Sequence, residues 1–212
     1  MRTPLVAILG LAGLAAGLAG CVSLKRTPEA RFFALRSLAE PEAAPAIPSP
    51  TPAGFVGVLP VRLPGHLDRP QLVVWTGRNE LRIDEFLRWA EPLDAGATRT
   101  LAEDLATFLP ESRVVRSPWP ASAAPRCRVF AELRVFGPQP GGEVRLEGRF
   151  ALLAPRDERT LAARPLSLRR GPLGSGPDRP DPGAEVDAMS ELIADLAKEI
   201  AAAVRSLPAE EK

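Results

Sequence analysis

RCRVFAELRVFGPQPGGEVRLEGRFAL, residues 126–152, decides the fold. Along its first half Cys127, Val129, Ala131, Leu133 and Val135 share one parity. Arg126, Arg128, Glu132 and Arg134 hold the other, joined by Phe130 and Phe136. After the turn Gly137-Pro138-Gln139-Pro140-Gly141-Gly142, Val144, Leu146, Phe150 and Leu152 alternate with Glu143, Arg145, Glu147 and Arg149. Period two sends successive side chains to opposite faces of a strand. The stretch is therefore an antiparallel hairpin with one dry face and one wet face. Facing Arg and Glu rows pair across the strands, each pair contributing a few tenths of a kcal/mol.

Toward the C-terminus, residues 160–170 read as a further strand, and Pro165 places it at an edge or a bulge. The Gly/Pro-rich loop from Gly171 to Pro177 lacks the Lys and Ser/Thr of a phosphate-binding loop. A helix follows from Asp181 to Leu207. Asp181 caps it, Pro182 suits its first turn, and Val186, Met189, Ile193, Leu196, Ile200, Ala203 and Leu207 make one apolar stripe. Acids early and Lys198 and Arg205 late suit the helix macrodipole.

Toward the N-terminus, a Pro-rich turn with Trp119 separates the hairpin from an earlier helix. That helix starts near Asp94 or Gly96 and ends before Pro110, with Ala97, Leu101, Leu105 and Phe108 on its packed side. Thr100 and Glu103 could form a capping box if the start is later. Residues 54–61, 71–76 and 80–86 read as strands. Residues 39–53 carry five prolines and form an extended segment of about 3.1 Å per residue. Before it, Arg31 to Arg36 holds Phe32 and Phe33. Two adjacent Phe are costly to leave wet, which favours a docked first strand.

The whole chain has 212 residues, 45% hydrophobic and 25% charged, with 24 Pro and 17 Gly. That suits one domain with extra segments and many turns. There are 27 basic and 26 acidic residues, and Arg2 is the only charge before Cys21. The rest of the chain is thus neutral, without the basic excess of a nucleic-acid binder. Two Cys and one His argue against a zinc site or a disulfide framework, so no metal or cofactor is expected.

Residues 1–20 form a signal peptide: Arg2, then an uncharged run rich in Ala and Gly. Leu18-Ala19-Gly20-Cys21 resembles a bacterial lipobox. The resemblance implies diacylglycerol on the Cys21 thiol, cleavage before it, and an N-acyl chain such as palmitate on its new amino group. Two or more acyl chains hold a protein stably at a membrane, at about 0.8 kcal/mol per buried CH₂. Val22 follows in place of an inner-membrane retention Asp, which resembles an outer-membrane destination facing the periplasm. Residues 21–30 are then a tether, 31–207 the domain, and 208–212 a tail. With Cys21 acylated, Cys127 is a buried free thiol.

Covalent chemistry is missing. The single His66 sits in the loop Leu63-Pro64-Gly65-His66-Leu67-Asp68, and no Ser lies in a nucleophile-elbow pattern. Asp84/Glu85 and Glu103/Asp104 read as ordinary solvated faces, so no catalytic residue is assigned. Residues 58–73 (VLPVRLPGHLDRPQLV) and 88–93 (RWAEPL) carry a more specific signal. With Phe32-Phe33-Ala34-Leu35 and Pro118-Trp119, these blocks resemble the PqiC family, auxiliary lipoproteins of ABC-type and MCE-domain lipid-transport systems. His66 departs from the aromatic expected there.

The resemblance implies a non-enzymatic, membrane-integrity-associated subunit. It would be lipid-anchored at the periplasmic face of the outer membrane. It would dock onto an MCE-domain periplasmic protein and its inner-membrane transport subunits, with homo-oligomerisation an option. Arg69, Arg88, Trp89 and Glu91 are candidate contacts, Arg and Trp being the commonest hot-spot residues. Equally, Trp89 can pack in the core while Arg69 and Glu91 satisfy loop backbone. A rival reading is a lipoprotein that holds a lipid or hydrophobic solute in its own apolar groove. The fold class expected is α+β, a mostly antiparallel sheet with two main helices packed on it.

Overall fold

The computed structural model describes residues 28–38, 54–119, 124–155, 157, 159–173 and 180–208. The hairpin that opened the reading is its centre. Strand β6 (Cys127–Pro138) and β7 (Val144–Leu153) pair antiparallel, and β8 (Thr160–Arg170) pairs antiparallel to β7. Of the edge or bulge that Pro165 allows, β8 takes the edge. On the other side β2 (Val56–Val58) lies parallel to β6, and β5 (Val114–Arg116) parallel to β2. The order of this five-stranded sheet is β5-β2-β6-β7-β8.

A second sheet of three strands has the order β1-β4-β3, from β1 (Arg31–Phe33), β4 (Leu81–Trp89) and β3 (Gln71–Trp75). β1 runs parallel and β3 antiparallel to β4. The fold is α+β, but both sheets are mixed. The parallel pairs all involve three-residue strands reached by long crossovers, a connection that antiparallel neighbours do not need.

One parity shift corrects the sequence reading. A bulge at Arg134 puts two residues of β6 against one of β7, so Leu133 faces Gly148 and Val135 faces Glu147. Beyond it Phe136, expected on the wet face, is buried, and Val135 is only half-buried. A Cβ on Gly148 would lie 2.1 Å from the Glu132 carbonyl oxygen, so only glycine fits opposite the bulge.

Two helices cover the dry face. α1 (Leu93–Phe108) follows Pro92, and α2 (Pro182–Arg205) follows Asp181, whose carboxylate accepts the Gly183 N–H at 3.0 Å. The capping box at Thr100 and Glu103 does not form, because the helix begins earlier and Thr100 is fully buried. Val186, Met189, Ile193, Leu196, Ile200 and Ala203 are buried against the core, as the stripe requires. They meet Val129, Leu133, Leu146, Phe150 and Leu152 from the sheet. Each fully buried Leu or Ile contributes about 1.5–3 kcal/mol. Cys127 is fully buried beside Val56, and burial pushes its thiol pKa up to about 11. Among the described residues no helix is long and apolar enough to cross a membrane.

Candidate functional site

Three of the singled-out sequence blocks converge on the small sheet. β4 is its central strand. On one side Phe32 and Phe33 of β1 stand opposite Arg88 and Trp89. On the other, Gln71 of β3 stands opposite Arg88, and the Trp89 N–H donates to the Pro70 carbonyl at 2.7 Å. The Ala90 N–H donates to the Phe33 carbonyl at 2.8 Å, closing the end of the sheet.

Strand parity then sorts the residues. Trp89 is buried with Phe33 packed toward the core. Phe32 and Arg88 share the opposite face, where Phe32 is 64% exposed. The first strand is docked, as two adjacent Phe demand, yet only Phe33 gains burial. Arg88 is steadied by Glu85: its Nε donates to the Glu85 carbonyl at 3.0 Å, and its guanidinium lies 3.6 Å from the Glu85 carboxylate. Gln71 donates to the same carboxylate at 3.0 Å. Arg69, between this edge and the short 3-10 turn Gly65–Leu67, is half-buried, and its Nε has no hydrogen-bond partner among the described residues.

Glu91 is drawn into another network. Arg99, on α1, donates to the Glu91 carboxylate from Nε at 3.2 Å and from its guanidinium at 2.6 Å. The same side chain reaches Glu103 at 3.1 Å and the Leu35 carbonyl at 2.9 Å. The Glu91 hydrogen bond raises the Arg99 pKa above its ordinary value, against the opposing effect of burial. Gly96 leaves room for this: a Cβ there would sit 3.2 Å from the Glu91 carboxylate.

The Leu35 contact belongs to a strap. After β1, residues 34–38 lie between the helices. The Arg36 N–H donates to Ser190 Oγ at 3.1 Å, and Arg36 pairs with Asp187 at 2.8 Å. The Ser37 hydroxyl and the Leu38 N–H donate to one Asp104 oxygen at 2.9 and 2.7 Å. Asp104, expected on a solvated face, is therefore fully buried. Desolvation raises its carboxyl pKa, partly offset by those two hydrogen bonds. Its other oxygen has no partner among the described residues. Nothing in the helical pattern of α1 marks Asp104 or Arg99 as strap holders. Their strap partners, Leu38 and Leu35, lie more than sixty residues away.

His66 packs edge-on against Trp75 at 5.7 Å. Trp119 meets Phe55 edge-on at 5.7 Å and leans over Gly57. The described surface includes two concavities. One of about 370 Å³ is lined by Arg145, Glu147, Ser167, Leu168 and Arg169. The other, about 700 Å³, lies where β5 meets the start of α1. Cys21 lies outside the described residues.

An α+β domain with two helices on a mixed five-stranded sheet, and a small sheet gathering the sequence blocks, defines the class. Residues 37–201 match the family of ABC-type transport auxiliary lipoprotein components, and the chain belongs to it. That agrees with the resemblance read from the blocks and gives the protein a membrane anchor and a place in a transport system. Among solved structures, protein XCC0632 from Xanthomonas campestris shares the fold with a TM-score of 0.62 at 19% identity, covering 82% of this chain and 94% of its own. The crystal structure of an uncharacterized protein matches with a TM-score of 0.58 at 18% identity, covering 84% of this chain and 97% of that one. No curated protein matches the sequence.

Proposed function

We propose that this lipoprotein is an accessory subunit of an ABC/MCE-type lipid-transport, membrane-integrity system and works by docking without catalysis. Cys21 carries diacylglycerol and an N-acyl chain, which hold the protein at the outer membrane with its domain in the periplasm. The docking face is the outward side of the small sheet, directed at an MCE-domain partner. The observation that carries this reading is the pairing of Phe32 with Arg88 there. A half-wet aromatic beside a steadied guanidinium has the composition of a contact hot spot. Trp89 and Glu91 serve it from beneath, and Arg69 borders it.

The test is co-purification of the full lipidated chain with its MCE-domain partner. Phe32→Ala and Arg88→Ala are expected to lose most partner recovery while keeping a native melt. Unchanged recovery from the folded variants removes this face from the interface. Mass spectrometry of the mature N-terminus checks the anchor separately, and an unmodified Cys21 overturns that part.

A further inference from the structure

The five-stranded sheet has two edges of different character. β8 is blunted by Pro165 in mid-strand and by Arg164 and Arg170, both paired with acids on α2. β5 carries no such protection among the described residues. Its partner on the inner side is β2. The Val56 N–H donates to the Arg113 carbonyl at 2.8 Å, and the Ser117 N–H to the Val58 carbonyl at 2.9 Å. In a parallel ladder, alternate residues of one strand face the same neighbour, so Val115 also faces β2. The N–H and C=O groups of Val114 and Arg116 therefore point to the open edge. They make no hydrogen bond among the described residues.

This edge borders the concavity of about 700 Å³. Val114 and Val115 give it half-buried apolar surface, while Arg113 and Arg116 are exposed and form no ion pair among the described residues. The concavity is completed by Pro60, Ser117 and the first turn of α1, where no side chain caps the helix and Asp94 is the only acid. Two free guanidinium groups and an uncapped helix start outweigh one carboxylate, so the lip favours anionic side chains. A second copy offering its β8 edge would bring no free carboxylate to Arg113 and Arg116: β8 itself holds no acid, and its Arg164, Arg169 and Arg170 are already paired with Glu199, Glu143, Glu191 and Asp195.

We propose that an extended acidic segment of a partner protein adds to β5 as a sixth strand. Its backbone pairs with Val114 and Arg116, and its carboxylates meet Arg113 and Arg116. Strand addition draws affinity from main-chain hydrogen bonds and specificity from alternate side chains, which this edge and its lip supply together. The contact goes beyond the Phe32 face and does not depend on it.

The probe is a short fluorescent peptide alternating Glu with Val, titrated into the full lipidated chain in detergent, with its Lys/Val counterpart as control. The acidic peptide binds saturably and the basic one does not. Val114→Pro removes one outward N–H and spares the β2 ladder, so it weakens binding about tenfold, one hydrogen bond's worth. Arg113→Glu with Arg116→Glu reverses the preference between the peptides. In the wild type, added acidic peptide slows amide exchange at Val114 and Arg116, a readout that needs no variant to fold. No saturable binding, equal binding of both peptides, or unchanged exchange at these amides overturns the proposal. So does concentration-dependent self-association that competes with the peptide, which assigns the edge to a second copy.

Discussion

Arg99→Met tests how the strap is held. The substitution keeps the aliphatic stem on α1 and removes the guanidinium that bridges Glu91, Glu103 and the Leu35 carbonyl. Losing the Leu35 hydrogen bond costs about 1 kcal/mol, the net worth of a typical protein hydrogen bond. The Glu91 pair, with side chains 27% and 34% exposed, contributes about 1 kcal/mol after solvent screening. The Glu103 pair, one helical turn away and more exposed, adds about 0.3–0.5 kcal/mol. The sum is about 2 kcal/mol, or a fall in Tm of about 4–8 °C for a domain of this size. Denaturant titration of Arg99→Met, Glu91→Gln and the double variant gives the pair's coupling energy, expected near 1 kcal/mol. Amide exchange at Arg36 and Leu38 is expected to rise more than at β6, because the loss is local. A total cost below about 0.5 kcal/mol, with exchange at Arg36 and Leu38 unchanged, would mean that solvent already screens the network, and the account of Glu91 as a strap residue would fall.

Two further outcomes follow from packing and charge. Gly148→Ala drives a Cβ to 2.1 Å from the Glu132 carbonyl oxygen and 2.8 Å from Leu133 Cα, both backbone atoms that cannot swing aside. A loss of about 3 kcal/mol or more in a denaturant titration is expected, and a loss under about 1 kcal/mol would contradict the bulge register. Asp104 has a raised folded-state pKa, so the folded protein binds its proton more tightly than the unfolded chain does. Its effect therefore lowers stability as pH climbs from the ordinary carboxyl range through the raised value. Asp104→Asn keeps an oxygen for the Leu38 N–H and cannot ionise. The stability of Asp104→Asn relative to wild type should therefore grow with pH across that window, and a flat difference would refute the assignment.

The hairpin, both helices and the edge position of β8 were legible because each rests on a local rule: period two, period 3.6, or the missing N–H of Pro165. The parity of Phe136 was not, since a bulge is one extra residue whose placement depends on the partner strand. A cue did exist. Gly148 occupies a core-parity position between Leu146 and Phe150, where a side chain would otherwise gain burial, and glycine there marks a close backbone approach. The candidate site was legible only as separate blocks. That Arg88 stands between Phe32 and Gln71 depends on parallel pairing across more than fifty residues and on an irregular register between Gln71 and Leu72. No periodicity encodes either. Asp104 was misread because α1 has an ordinary polar face in sequence. The strap that covers it comes from a segment with no helical or alternating pattern.

The order of these elements along the chain bears on how an anchor would act. Arg31 lies ten residue steps beyond Cys21, a reach of at most about 33–36 Å. The first described element they lead to is β1, so tension from acyl chains at Cys21 would enter the fold through the small sheet and not through the hairpin. β1 pairs over only three residues, too few to bear much load alone. The residues that follow supply the rest: Leu35 is buried at 2% exposure, and Arg36, Ser37 and Leu38 are fastened to Ser190 and Asp104. Each of those hydrogen bonds contributes about 1 kcal/mol, the Arg36 bond drawing on α2 and the Ser37 and Leu38 bonds on α1. The strap thus ties the small sheet to both helices at the point where the tether enters. A pull on the tether would move the Phe32–Arg88 face and the domain core together, as the proposed docking role at a membrane requires.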